Sequence, residues 1–298
     1  MISTLAAGLV AALSVAQTDT TLSVSPGTRL EVDNYAGRVV VRTWDRNAVR
    51  VAAEHSSMTD VDIDASDMTV SISASGRMGM PTAVDYTITI PPSMPVEVSG
   101  VQTAVDVEGV KGDVSVETVQ GDIHVSGGSG FLSLSTVDGR VDLQRTSGQI
   151  EVSAVNQSVH VADATGEIVA ETINGDLRLE RVDSGSVEGS TVNGEVVYDG
   201  SIKDGGRYSF STHNGDVSVA IAPTANVTVS VDTYQGDFQS SFPVTLRERG
   251  TGKRSTFTIG SGSARLDLES FQGTIQLRRP GEAPLAPSAD DANAEDEQ

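Results

Sequence analysis

Between residues 112 and 215 glycine returns about every nine residues, at Gly112, Gly121, Gly130, Gly139 and Gly148, then at Gly166, Gly175, Gly185 and Gly194. Gln157 fills the one empty slot, and a single extra residue precedes Gly185. A fixed period of this kind decides the architecture before any local propensity does. Alternate units differ. One kind closes on a threonine, an apolar residue and an amide or acid before its glycine: Thr118-Val119-Gln120-Gly121, Thr136-Val137-Asp138-Gly139, Thr172-Ile173-Asn174-Gly175 and Thr191-Val192-Asn193-Gly194. The other kind closes on a looser polar turn, so the true repeat is 18 residues of strand, turn, strand, turn.

Within each unit the second and fourth residues after the glycine are apolar, as in Val114 and Val116, Ile123 and Val125, Leu132 and Leu134, or Val141 and Leu143. A period of two marks a short half-buried strand. The apolar residue seven after the glycine, at Val119, Val137, Val155, Ile173 and Val192, is expected to add a third inward side chain on one strand type. Five aliphatic side chains cannot offset the entropy of ordering a whole coil, so stability must come from stacking coils on one another. The fold class expected is all-β: a parallel β-solenoid with about 18 residues per coil, built from two nine-residue strand-turn units, with an irregular β cap at the N-terminus.

The chain divides accordingly. Residues 1–16 read as a secretory signal peptide, with an apolar run from Leu5 to Val15 and a small-x-small cleavage site at Ser14-Val15-Ala16. Residues 17–99 are strand-like but irregular and form the cap or wide opening coils, punctuated by Pro26-Gly27, Ala36-Gly37, Ser75-Gly76 and Pro91-Pro92. Residues 100–279 are the solenoid, regular over 103–215 and wider after it, where the turn pattern recurs at Gly215, Gly236 and Gly273 with spacings of 21, 21 and 37. Tyr208, Phe210 and Phe238 occupy inward slots there and read as core fillers, and Val244 to Thr258 reads as a hairpin around Gly250-Thr251-Gly252. Residues 280–298 form an acidic tail without periodicity, expected to be disordered.

A formal net charge of −21 argues against nucleic acid and anionic membranes as partners. There is no cysteine, which removes disulfides, thiolate metal sites and a cysteine nucleophile. Beyond residues 1–16 no apolar stretch reaches the roughly 20 residues of a spanning helix, so no transmembrane segment is expected in the mature chain.

Few residues invite chemistry. Aspartate follows glycine at Asp113, Asp122, Asp176 and Asp216, but Phe131, Arg140, Gln149 and Ser158 interrupt the column, so it offers no calcium cage; each aspartate is expected to tighten its own turn. His124, Asp142 and His160, with Arg178 beyond them, stand 18 apart on one outward ladder. They are the candidate metal ligands, against the plainer reading of alternating charges in water. Asp60, Asp62, Asp64 and Glu151 are the carboxylates a polysaccharide-cleaving enzyme would need, yet the first three share one uniformly solvated strand face. No nucleophile elbow, phosphate loop or zinc-protease motif occurs, and no cofactor is expected. Seven basic residues gather between 247 and 279 against Glu248, Asp267 and Glu269, which makes Arg247, Arg249, Lys253 and Arg254 the candidate contact surface.

The opening VDNYAGRVVVRTWDRNAVRVAAE, the Pro91-Pro92 step and the run of TVQGDIHV, TVDGRVDL, TINGDLRL and THNGDVSV units resemble the bacterial putative-adhesin family of β-strand-repeat domains over residues 22–279. The resemblance implies an extracytoplasmic or envelope-associated β-solenoid and carries over no catalytic or binding residue. The function expected is a non-enzymatic interaction or adhesin-like scaffold, secreted, periplasmic or at the cell surface, meeting an envelope polymer or protein. The alternatives are a polysaccharide-active β-helix enzyme and a calcium-dependent surface protein.

Overall fold

The computed structural model describes residues 15–77, 79, 82–244, 247–248 and 253–284. They form 22 strands and no helix. The strands are β1 (Val15–Ser23), β2 (Arg29–Thr43), β3 (Ala48–Ser56), β4 (Thr59–Ala65), β5 (Thr69–Gly76), β6 (Val84–Ile90), β7 (Val96–Val110), β8 (Val114–Gln120), β9 (Ile123–Asp138), β10 (Val141–Ala154) and β11 (Val159–Ala162). They continue with β12 (Thr165–Glu171), β13 (Leu177–Asn193), β14 (Val196–Gly200), β15 (Arg207–Asn214), β16 (Val217–Ala220), β17 (Val227–Thr233), β18 (Phe238–Ser240), β19 (Arg247–Glu248), β20 (Lys253–Ile259), β21 (Ala264–Gln272) and β22 (Ile275–Arg278). Of the expected signal peptide only Val15 and Ala16 are described, and they open β1 beside Ser56 and His55. Residues 1–14 and the acidic tail from 285 onwards lie outside the described residues.

Through the middle of the chain each strand lies parallel to the one 18 residues on. Val114 faces Leu132, Ile123 faces Val141 and Leu132 faces Ile150. Long strands such as β9 bend at a corner and serve two faces. Where they bend, Gly127, Arg145, Asp163 and Arg181 succeed one another with φ of 65°, 53°, 53° and 51°. A left-handed residue without glycine costs about 1–3 kcal/mol, and here Arg181 donates to both oxygens of Asp163 at 2.8 and 3.0 Å across the stack.

Each rung sends two side chains inward from either face. Val114, Val116, Ile123, Val125, Leu132, Leu134, Val141 and Leu143 are all 0–1 % exposed. Tyr208 and Phe210 are buried as expected, and Phe238 packs partly buried against the same core. Room for Phe210 comes from Gly189, where an added Cβ would stand 2.9 Å from Leu177 and 3.0 Å from Phe210.

The expected inward position of Val119, Val137, Val155, Ile173 and Val192 is wrong. Val119, Val137, Ile173 and Val192 are 42–47 % exposed, Val155 is half-buried, and the threonine before each of Val119, Val137, Ile173 and Val192 is buried instead. Strand alternation carries on from Val114 and Val116 to Thr118. Threonine has the shape of valine, and its hydroxyl bonds a carbonyl of the rung below. Thr118 donates to Thr103 O at 3.2 Å, Thr172 to Gln157 O at 2.9 Å, Thr191 to Gly175 O at 3.0 Å and Thr212 to Gly194 O at 3.0 Å.

The stack is finished at both ends by antiparallel strands. β4 lies against β5, and β1 against β3, which itself lies against β6. At the other end β20 lies against β17, and β19 against β20. The long final spacing has a topological cause: the rung made by β21 and β22 inserts between those of β15–β16 and β17–β18, so the chain skips a place and returns to fill it. β19 and β20 are the two arms of the expected hairpin, and its Gly250-Thr251-Gly252 turn lies outside the described residues.

Candidate contact stripe and the fate of the expected sites

Turning the apolar residue outward at every Thr-apolar-amide corner builds a column along the stack. In spatial order it reads Tyr35, Val101, Val119, Val137, Val155, Ile173, Val192, His213, Phe271 and Tyr234. Ten rungs at about 4.8 Å make a line about 43 Å long. At its far end the rings stack nearly parallel, His213 on Phe271 at 4.6 Å and Phe271 on Tyr234 at 4.8 Å between centroids. Tyr234 is 67 % exposed.

Beside it runs a second column, one residue further along each strand: Gln102, Gln120, Asp138, Asn156, Asn174, Asn193, Asn214, Gln272 and Gln235, all exposed. Its amides link along the stack, Gln102 to Gln120 at 3.1 Å, Asn174 to Asn156 at 3.3 Å, Asn193 to Asn174 at 2.7 Å, Asn214 to Asn193 at 2.7 Å and Gln272 to Gln235 at 3.3 Å. An amide that gives one N–H to its neighbour keeps a second N–H and an acceptor lone pair for something else. The signal for this stripe was present in the sequence, in the strand parity of the turn motif.

The histidine ladder exists as spaced. His124 and His160 flank Asp142, their Nδ1 atoms 3.6 and 3.4 Å from its two oxygens, and His160 Nε2 lies 3.8 Å from Glu180. The run extends to Asp106 beside His124, with Arg38 3.0 Å from Asp106, and to Arg178 beside His160, with Glu195 3.3 Å from Arg178. That is a row of acidic and basic side chains, and among the described residues no group of three is arranged to hold a metal ion. Burial outweighs Arg178 at Glu195 and pushes its carboxyl above the ordinary range.

The aspartates after glycine do not tighten their own turns. Each bonds the next rung: Asp113 accepts from Phe131 N at 3.0 Å, Asp122 from Arg140 N at 2.8 Å, Asp176 from Glu195 N at 3.0 Å and Asp216 from Thr274 N at 2.6 Å. Asp60, Asp62 and Asp64 sit on β4, six strands from Glu151 on β10 along one face, so the two sets lie about 29 Å apart. The Arg77 guanidinium holds Asp60 below the usual carboxylate range, which keeps it ionised.

Of the basic residues between 247 and 279, Arg247 lies on β19, Lys253 and Arg254 on β20, Arg265 on β21 and Arg278 on β22. Arg254 lies 3.8 Å from Asp232. Arg278 is 2 % exposed and reaches Ser218 at 3.2 Å, the Glu282 carbonyl at 2.8 Å and Asp199 at 3.6 Å. Of the other candidate contacts, Arg249 lies outside the described residues, and Arg247 and Lys253 are placed on β19 and β20.

No curated protein matches the chain. Among solved structures, a putative adhesin from Bacteroides fragilis is 13 % identical, covering 91 % of this chain and 100 % of its own, with a TM-score of 0.45. A putative adhesin from Parabacteroides merdae is 10 % identical, covering 89 % and 96 %, at 0.46. A putative cell adhesion protein from Clostridium sporogenes is 8 % identical, covering 89 % and 100 %, at 0.25. The Toastrack DUF4097 family model matches residues 27–278, from the turn before β2 to the last residue of β22, and the chain belongs to that family.

Proposed function

We propose that this chain is a non-enzymatic, adhesin-like scaffold of the cell envelope, and that its contact surface is the stripe of paired apolar and amide columns. One observation carries the reading. Across ten rungs the two columns occupy twenty positions, from Tyr35 and Ala36 to Tyr234 and Gln235, and Asp138 alone among them bears a formal charge at neutral pH. The whole chain carries −21. A linear, uncharged, half-apolar surface on so acidic a protein suits an extended uncharged polymer laid along it, with its apolar face on the valines and its hydrogen-bonding groups on the free amide valences. Each coil of about 18 residues is then one rung of a ruler, and stacking makes the ruler stiff. A secreted, periplasmic or surface location is part of the same proposal and suits such a partner.

The test is retention of the mature protein on its own envelope fraction, for the wild type and for a variant carrying Val119→Glu, Val137→Glu and Ile173→Glu. These three side chains are 43–47 % exposed, so the variant should fold. Loss of retention with unchanged melting is expected; full retention by the folded variant refutes the stripe.

A further inference from the structure

Arg207 on β15 and Arg265 on β21 stand directly opposite each other on neighbouring parallel strands, both exposed on the outer face. Like charges placed directly opposite destabilise a strand pair, so this arrangement needs a reason. Many arginines elsewhere find acids, among them Arg38 with Asp106 at 3.0 Å, Arg50 with Asp19 at 2.7 Å, Arg77 with Asp60 at 3.1 Å and Arg181 with Asp163 at 2.8 Å. Among the described residues neither Arg207 nor Arg265 has a carboxylate within ion-pair distance. Both line an open depression of about 390 Å³, with Ser186 next to Arg207 in the same column and Ser209 one step along the strand. Glu188 and Asp267 flank Ser209 on the rim.

We propose that this depression binds a single oxyanion group, carboxylate or phosphate, carried on a hydroxylated body of monosaccharide size. Two guanidiniums one rung apart, about 4.8 Å, can each take an oxygen of one anion, and arginine is suited to such planar, paired recognition. The serine hydroxyls and the rim carboxylates accept and donate around the uncharged remainder, Glu188 and Asp267 as acceptors for its hydroxyls. With Glu167 beside Ser186, three rim carboxylates against two arginines oppose a dense negative charge, which selects one anionic group joined to a polyol over a highly charged polymer. The site lies on a sheet face away from the corner stripe and stands independently of the function proposed for that stripe.

The experiment is a titration of the isotopically labelled protein at low salt with D-glucuronate, glucose 6-phosphate, inorganic phosphate and glucose, followed by backbone amide shifts. Saturable shifts at residues 186, 207, 209 and 265 are expected with glucuronate or glucose 6-phosphate and not with glucose. Which of the two anions binds more tightly identifies the source of the group. Arg207→Gln and Arg265→Gln should each weaken binding about tenfold, and both together should abolish it. Absence of saturable shifts with either sugar anion up to tens of millimolar overturns the proposal. So does equal binding of glucose, binding of inorganic phosphate alone, or unchanged binding by the folded double variant.

Discussion

Two turn glycines separate backbone necessity from mere turn propensity, and substituting each with alanine tests the stacking directly. Gly148 lies between Gly130 and Gly166 in a column where rungs touch backbone to backbone: its φ is +115°, and an added Cβ would stand 2.1 Å from the Gly130 carbonyl oxygen. Gly185 occupies the same place in the sequence repeat, yet nothing lies within 4 Å of where its Cβ would be. For Gly148→Ala the unfavourable φ costs about 1–3 kcal/mol. Forcing the rungs apart at that point adds about 1–3 kcal/mol of overpacking. The sum, about 2–6 kcal/mol, lowers Tm by several degrees to roughly 20 °C for a chain of this size. Gly185→Ala should stay within about 0.5 kcal/mol of the wild type. Thermal melts followed by circular dichroism in the strand region read both. Equal Tm values for the two variants would refute close backbone stacking as the reason for the glycine period.

Val137→Asp should change stability by about 0.5 kcal/mol or less because Val137 is 43 % exposed, whereas Thr212→Val, which strands the Gly194 carbonyl at a site 5 % exposed, should cost about 1 kcal/mol. Denaturant midpoints in which the aspartate variant is the weaker of the two would overturn the outward assignment. Glu195 has one oxygen buried without a partner and a carboxyl pushed up by burial. A raised folded value means that its favourable contribution is complete below the ordinary carboxylate range and is lost as pH rises through the folded value. Glu195→Gln should therefore stabilise the protein at pH 8 relative to wild type, and the gain should vanish in acid; a variant less stable than wild type at pH 8 but not in acid contradicts this.

Periodicity and glycine spacing made the stack legible, because both report backbone constraints that recur identically in every coil. What they could not convey was which of two adjacent residues enters the core at each corner. Choosing by hydrophobicity puts Val119 inside, and choosing by strand parity puts Thr118 inside; the structure follows parity, with Thr118 4 % exposed and Val119 47 %. A hydrogen bond invisible in one coil accompanies that parity at most corners: the buried threonine donates to a carbonyl of the rung below, which a valine could not do, while Ala154 fills the same inward slot without one. The aspartates after glycine were misjudged for the same reason, since their acceptors serve the backbone N–H of the following rung, about 18 residues away. The order of the last rungs was likewise closed to a reading by spacing, because β21 returns to fill a place that β17 had passed over. In a stacked fold the partner of a polar side chain is set by the coil above or below. Motifs read along one coil therefore locate turns correctly and assign their contacts wrongly, and the contact stripe emerges only once that register is known.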